Sequence, residues 1–445
     1  MGSGMESGLE NRGLIRKGEE VEYPKSGMGS FLGAHQLLRL LGSQSASTYA
    51  NQVIAFVIPW LVLTRTGSAV SAGTVAFAMG IAAFVGVMTG GLITDRIGGR
   101  KVSIIADLLS TVTALLLGIV LFFDFFSLWL VIVSQIIGVF FDGPGQIAKN
   151  TMVPAAATEH AVPIVRAMGI QQTLQNVANF VGPLSAGFLV ALLSESITLM
   201  FGSVLFALCI FLVLGLPSKA AQHEQRMSLR QAYEDMREAV QFIIKDPFLG
   251  PMQLFGPFFA FVVGPVSAIV FPAWFVFANQ GAAQLGIFLG AQALGGMIGG
   301  FIFAALAPKV SQHKWLFGAT SAYALALLGL YFLQPGSVIA LLIGFLAGVV
   351  FTGIMAIPYS SFYIRTPERL LGRVNSLGAG MGFIIIALAS LFFGWLINTT
   401  SARTGLLVCA ILMGLIALGV LLFPFMKHLD EKVEPEGVGE PTNSN

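Results

Sequence analysis

Asp107 and Asp142 lie inside long apolar runs of this 445-residue chain, where a carboxylate is costly. Asp107 follows Lys101 by six residues, and Asp142 precedes Lys149 by seven. At about 1.5 Å of rise per residue, each stands roughly 9–10 Å from the nearest chain cation. Such a group either exchanges protons or is held in a fixed pair. Asp107 reads as paired with Arg39, Arg100 or Arg166, and for Asp142 both readings stay open. Both remain candidates for proton coupling. Uncharged polar residues accompany them: Gln44, Tyr49, Asn51 and Gln52 in the first run, Gln135 and Gln146 around Asp142, and Gln253, Trp274 and Tyr359 later. They can hydrogen-bond a guest or tie helices together.

Chemistry of other kinds lacks its residues. The five histidines, His35, His160, His223, His313 and His428, fall in loops, tails or at the ends of apolar runs. Neither a G-x-S-x-G elbow nor a G-x-x-x-x-G-K-[ST] phosphate loop occurs. An enzyme and direct ATP drive are therefore not expected. Cys209 and Cys409 are isolated within apolar runs, so no metal site is expected. A net charge of +2 gives no reason to expect nucleic acid.

Two glycine patterns stand out. Gly91-Leu-Ile-Thr-Asp95-Arg96-Ile-Gly98-Gly99-Arg100-Lys101 joins two apolar runs and carries nearly all the local charge. Gly90 and Gly91 suit close helix approach, Asp95 can accept from a helix N-terminus or an Arg, and the cations suit anionic headgroups. Further on come Gly169, Ala178, Gly182-Pro183 and Ala186-Gly187, a small-residue stripe with one proline. Gln171, Gln175 and Asn179 form a polar face on the same segment, with Gln172 and Asn176 beside it.

The elements that must position these groups follow from composition. The chain is 56% hydrophobic and 10% charged, with a mean hydropathy of +0.83. Soluble domains carry about 25% charge. A polytopic membrane protein follows, helical because the apolar runs are continuous. Runs long enough to span, about 20 residues each, fall at 36–63, 70–94, 102–123, 127–149, 166–192, 196–216, 248–277, 283–307, 315–333, 337–362, 374–397 and 404–426. With both termini cytoplasmic, 22 of the 24 Lys and Arg lie inside, and only Arg65 and Arg403 lie outside. The expected organisation is a disordered tail (1–32), a six-helix half (33–216), a linker (217–247), a second six-helix half (248–427) and a disordered tail (428–445). No cleavable signal peptide is expected, and the first apolar run would serve as the insertion signal. In the linker, Ser228 to Ile243 reads as an amphipathic helix, capped by Ser228, with Leu229, Met236, Ala239, Val240 and Ile243 on one side. A repeat links the halves: Gly299-Gly300 parallels Gly90-Gly91, with Ala304 in place of Asp95, and a basic loop precedes the fifth span of each half.

The G-x-x-x-D-R-x-G loop with its basic tail resembles the loop between helices 2 and 3 of major facilitator superfamily transporters. Gly169 to Gly187 resembles the antiporter signature of that superfamily's drug exporters, with Ala178 and Ala186 replacing glycines. Ser43-Gln44, Pro59-Trp-Leu-Val-Leu63, Thr66-Gly-Ser68, Ala106-Asp107-Leu-Leu, Phe140-Phe-Asp142-Gly-Pro-Gly-Gln146 and Gly372-Arg373-Val-Asn-Ser376 are similar to the macrolide-efflux and enterobactin-exporter branch. There P-A-R-Q is common, and Gly145 stands at the arginine's place. The resemblance implies twelve transmembrane helices in two six-helix pseudo-repeats that rock around a central cavity. It implies a cytoplasmic gate at Gly91, Asp95, Arg96, Gly98, Arg100 and Lys101. Gln44, Asn51, Gln52, Gln135, Gln146, Gln253, Trp274 and Tyr359 become cavity candidates, because spans 1 and 4 of each half line the cavity in that fold. The implied activity is proton-driven export of amphipathic or drug-like molecules by a monomer in a cell membrane, with no cofactor. Siderophore or lysophospholipid export, uncoupled facilitation and a non-transporting sensor stay open.

Overall fold

The computed structural model describes residues 34–160, 162–216, 229–246, 248–423, 426 and 429. The tail at 1–32, nearly all of the tail at 428–445 and the expected cap Ser228 lie outside them. The described chain is helical throughout. The first half holds α1 (His35–Thr66), α2 (Ala69–Ile97), α3 (Gly99–Phe122), α4 (Leu128–Glu159), α5 (Ile164–Leu192) and α6 (Glu195–Leu214). After α7 (Leu229–Lys245) come α8 (Leu249–Val276), α9 (Ala282–Leu306), α10 (Gln312–Phe332), α11 (Val338–Arg365), α12 (Glu368–Thr399) and α13 (Ala402–Leu422). Eleven of the described helices are long and apolar enough to cross a membrane. α5 is as long as several of them, but its Gln and Asn residues dilute its hydropathy.

Local sequence explains the helix ends. Serine side chains accept backbone N–H groups at the starts of α2 (Ser68), α6 (Ser194), α10 (Ser311), α11 (Ser337) and α13 (Ser401). These occupy donors that a helix start leaves without partners. α1 stops at Gly67, whose φ of 60° is the left-handed cap glycine tolerates. In α8 a π turn at Val266–Val270 follows Pro265, which brings no N–H to the ladder.

Large apolar side chains are exposed along outward faces, among them Leu116, Phe211, Phe301 and Leu342. In lipid that pattern costs nothing, and small residues take over where helices cross. The halves repeat one pairing scheme. α2 packs on α4 as α9 packs on α11, α3 on α6 as α10 on α13, and α1 on α5 as α8 on α12. The echo extends to single atoms. A Cβ on Gly86 would overlap the Phe140 carbonyl, and one on Gly295 the Phe345 carbonyl. Four residues on, Gly90 meets Pro144 and Gly299 meets Val349. The halves join through α2 against α12 and α5 against α9.

Two expectations need correction. The fourth span does not stop at Lys149: α4 continues to Glu159, and Lys149 is 1% exposed instead of lying in a surface loop. A charge is a sound stop signal only where no partner waits for it, and here Asp107 does. In α7, Ala239 and Ile243 are buried against Leu370 and Val374 of α12, with Phe242 beside them, whereas Val240 is exposed.

Candidate functional site

The bundle has a basic end, carrying Arg96, Arg100, Lys101, Arg166, Arg365 and Arg373, and an opposite end. Glycine contacts between the halves run from the middle to the opposite end. Gly73 meets Ser390 and Gly394, Gly80 meets Ala387, and a Cβ on Gly187 would stand 2.7 Å from the Gly286 Cα. At the basic end a Cβ on Gly91, Gly169 or Gly372 would meet nothing within 4 Å. The close glycine contacts between the halves thus lie from the middle to the opposite end, with open space beside these three glycines at the basic end.

Between them lies a cavity of about 370 Å³. Gln52, Phe56, Asn179 and Pro183 line one wall, and Gln292, Tyr323 and Phe351 are among the residues opposite. Gln52 can approach Asn179 because Gly182 has no side chain: a Cβ there would overlap the Gln52 side chain. Gln52 Nε2 donates to Asn179 Oδ1 at 2.6 Å. The polar face of α5 therefore supplies a cavity wall, through Asn179.

A second cavity, about 380 Å³, adjoins it through Val263 and Gly264 and belongs to the second half. Met252, Phe255, Phe259, Met355 and Phe362 make it mostly apolar, with Gln253 and Tyr359 at its edge. A third, about 190 Å³, lies inside the first half and shares Ala55 with the central cavity. Its lining is mostly apolar, and Asn51, Ser110, Thr113, Gln135 and Asp142 supply its polar groups.

Both acids are accounted for. Lys149 Nζ pairs with Asp107 Oδ1 at 2.8 Å, both side chains almost wholly buried. Ser47 Oγ donates to the same oxygen at 3.3 Å, and Asp107 Oδ2 has no partner. The cation is Lys149, not Arg39, Arg100 or Arg166. Arg39 and Arg100 are occupied elsewhere, on the last carbonyls of α6: Arg100 Nη2 donates to Leu214 O at 2.6 Å and Arg39 Nη1 to Gly215 O at 3.4 Å. Asp142 has neutral partners. Asn51 Nδ2 donates to its Oδ1 at 2.8 Å, and Gln146 bonds to it as well.

The remaining candidates divide. Gln44 is buried away from the cavities and donates to Asn150 Oδ1 at 2.5 Å, tying α1 to α4. Trp274 is 2% exposed, packed on Phe275 and Phe288, and lines none of these cavities. In the loop, Asp95 is exposed and makes no hydrogen bond or ion pair among the described residues, and Arg96 and Lys101 are exposed too. Gly98 has φ 91°, so this turn strains any other residue. Gly90, not Gly91, makes the close helix contact. Of the α5 stripe, Ala178, Gly182, Ala186 and Gly187 are buried, and Gly187 forms the crossing with α9. Sequence reasoning missed Lys149 as an interior residue. The apolar Met152–Ala157 stretch beyond it was the available sign that the helix continues. Ser110 and Thr113 gave no signal, since hydroxyls in apolar helices commonly bond their own backbone.

Residues 40–387 match the sequence pattern described as Major Facilitator Superfamily. The multidrug efflux pump Tap of Mycolicibacterium fortuitum is 26% identical over 412 residues, covering 90% of this chain and 98% of that one. The enterobactin exporter EntS of Citrobacter koseri is 23% identical, covering 87% and 90%. Among solved structures, the nucleoside transporter NupG superposes with a TM-score of 0.70 at 16% identity, over 87% of this chain and 98% of that one.

Proposed function

The chain belongs to the Major Facilitator Superfamily, and we propose that within it this transporter exports amphipathic or drug-like small molecules by proton antiport. One observation carries the reading: a cavity between two repeated halves whose close glycine contacts lie from the middle to the opposite end, with open space beside Gly91, Gly169 and Gly372 at the basic end. Rocking about the α2–α12 and α5–α9 contacts would expose that cavity to each side in turn. The excess of Lys and Arg at the basic end supports a cytoplasmic location for that end. The cavity then faces inward here. The relatives named as efflux pump and enterobactin exporter support the direction of transport.

Asp142 is the coupling residue in this proposal. It faces a cavity that shares the lining residue Ala55 with the central one, and its hydrogen-bond partners are neutral, so gain or loss of a proton breaks no ion pair. Asp107 serves as a structural partner to Lys149. Asp95 acts as a latch: free here, it takes a helix N-terminus or an Arg of the other half when the basic end closes. Siderophore export is the second reading, favoured by the relative named enterobactin exporter.

The test is efflux from proteoliposomes under an imposed pH gradient, with a cationic dye panel and a catechol siderophore run in parallel. Gradient-driven efflux is expected in wild type and lost in Asp142→Asn. Transport indifferent to the gradient would overturn antiport, and unchanged coupling in Asp142→Asn would remove that residue.

A further inference from the structure

The central cavity and the cavity of the second half share Val263 and Gly264, and no Asp, Glu, Lys, Arg or His lines either one. A charged group entering this space would give up hydration without meeting an opposite charge. Asp142 and its partner Asn51 line the third cavity, not these two. The apolar wall runs through both spaces. Phe56 of α1 stacks on Trp60, and Phe351 of α11 stacks on Phe259, each with ring centroids 6.4 Å apart. Phe351 lines the central cavity and Phe259 the second-half cavity, so their stack carries an aromatic surface from one to the other.

The polar groups of the central cavity are uncharged and come from both halves. On one wall Gln52 Nε2 donates to Asn179 Oδ1. That bond leaves Gln52 Oε1 as an acceptor and the Asn179 amide N–H groups as donors. Asn179 is exposed and lines this cavity, so its donors open on the space a guest would fill. Opposite, the Tyr323 hydroxyl of α10 bonds to Gln292 of α9. The π turn of α8 puts the exposed hydroxyl of Ser267 on the same cavity. Donors and acceptors thus stand together on the two walls, with an apolar bed beside them.

We propose that the central cavity is a subsite for an uncharged group that both donates and accepts hydrogen bonds, a carboxamide or lactam, carried by a substrate whose apolar body lies in the second-half cavity. Such a group can accept from Asn179 and Ser267 and donate to Gln52 and Gln292. An ammonium can only donate and a carboxylate can only accept, and neither finds a countercharge on these walls. Because Gln52 and Asn179 belong to one half and Gln292 and Tyr323 to the other, one bound amide touches both bodies that rock. Cavities of about 370 and 380 Å³ each fall in the roughly 300–1,000 Å³ class of drug-sized ligands. This assignment deepens the exporter reading and rests on it for its meaning in transport. Equilibrium binding tests it separately, because binding needs no gradient.

The probes are radiolabelled 3-(2-naphthyl)propanamide, its ketone isostere 4-(2-naphthyl)butan-2-one and 3-(2-naphthyl)propylamine. Each is titrated against the full chain in lipid nanodiscs, at a pH where the amine is protonated, with empty nanodiscs as the blank. The ketone has a methyl in place of the amide nitrogen, so it accepts but cannot donate. The amide is expected to bind roughly tenfold tighter than the ketone, since its N–H groups meet acceptors that the ketone leaves unpaired. The protonated amine is expected to bind more weakly than the amide. Gln52→Met and Gln292→Met keep side-chain length while removing the polar ends, and each should bring the amide towards the ketone's affinity. Ketone binding by the same variant checks its fold, and where a variant loses both ligands the wild-type order decides. Equal affinity for amide and ketone in wild type, tighter binding of the amine than of the amide, or an amide preference that survives both substitutions in folded variants would overturn the proposal. Amide preference without gradient-driven efflux would sink only the exporter reading, and efflux without amide preference only this subsite.

Discussion

At the scale of single residues, Asp107 and Lys149 form the interior's one closed charge pair among the described residues, and each hides the other's cost. Removing the lysine alone strands a buried carboxylate. Lys149→Met is expected to destabilise the fold by about 3–5 kcal/mol, and Asp107→Asn in the same chain to recover much of that. Thermal unfolding in detergent, followed by size exclusion, reads both; additive losses in the double variant would contradict the pairing. The acids themselves were legible in the sequence, because charge in an apolar run is rare. Their division of labour was not. Which cation reaches Asp107 depends on how α3 and α4 pack, and spacing along one helix carries no record of its neighbour.

Among the elements, the crossing of α5 and α9 joins α2 against α12 in holding the halves together at the opposite end. Gly187 and Gly286 are there backbone to backbone. A leucine at Gly187 has no room beside the Ala282 carbonyl, 2.6 Å from where its Cβ would lie, so Gly187→Leu should force that end apart. The expected outcome is faster modification, from the outer side, of a cysteine placed at Asn179; unchanged labelling would mean the crossing is not the seal. The turn between α2 and α3 makes a second case. Gly98→Ala must hold φ 91° with ψ 137°, outside the left-handed helical well, which costs on the order of 1–3 kcal/mol, and a matching drop in the unfolding midpoint is expected. Both stripes of small residues were visible in the sequence, since close packing needs them. Their partners were not, and Gly90 rather than Gly91 proved to be the contact because helix rotation about its axis is set by packing.

For the whole molecule, the basic end should face the cytoplasm. Single cysteines at Arg96 and Arg403 test this with an impermeant thiol reagent on intact cells, in a background free of Cys209 and Cys409. Labelling is expected at position 403 only, and the reverse pattern would invert the topology. Asp95→Asn should weaken closure of the basic end and slow turnover without altering equilibrium binding of a transported dye; a changed Kd with normal turnover would contradict a latch. The sequence by itself determined the membrane class, the twelve helical spans and the doubling of the chain. Hydropathy and glycine spacing act along the chain, and lipid tolerates little else than helices. Tertiary structure alone decided that Lys149 is interior, that Trp274 and Gln44 stay out of the cavities and that Asp142 faces a small cavity inside the first half. Each of these depends on which faces of separate helices meet, and in a bundle whose surface is as apolar as its core, hydrophobic pattern does not distinguish those faces.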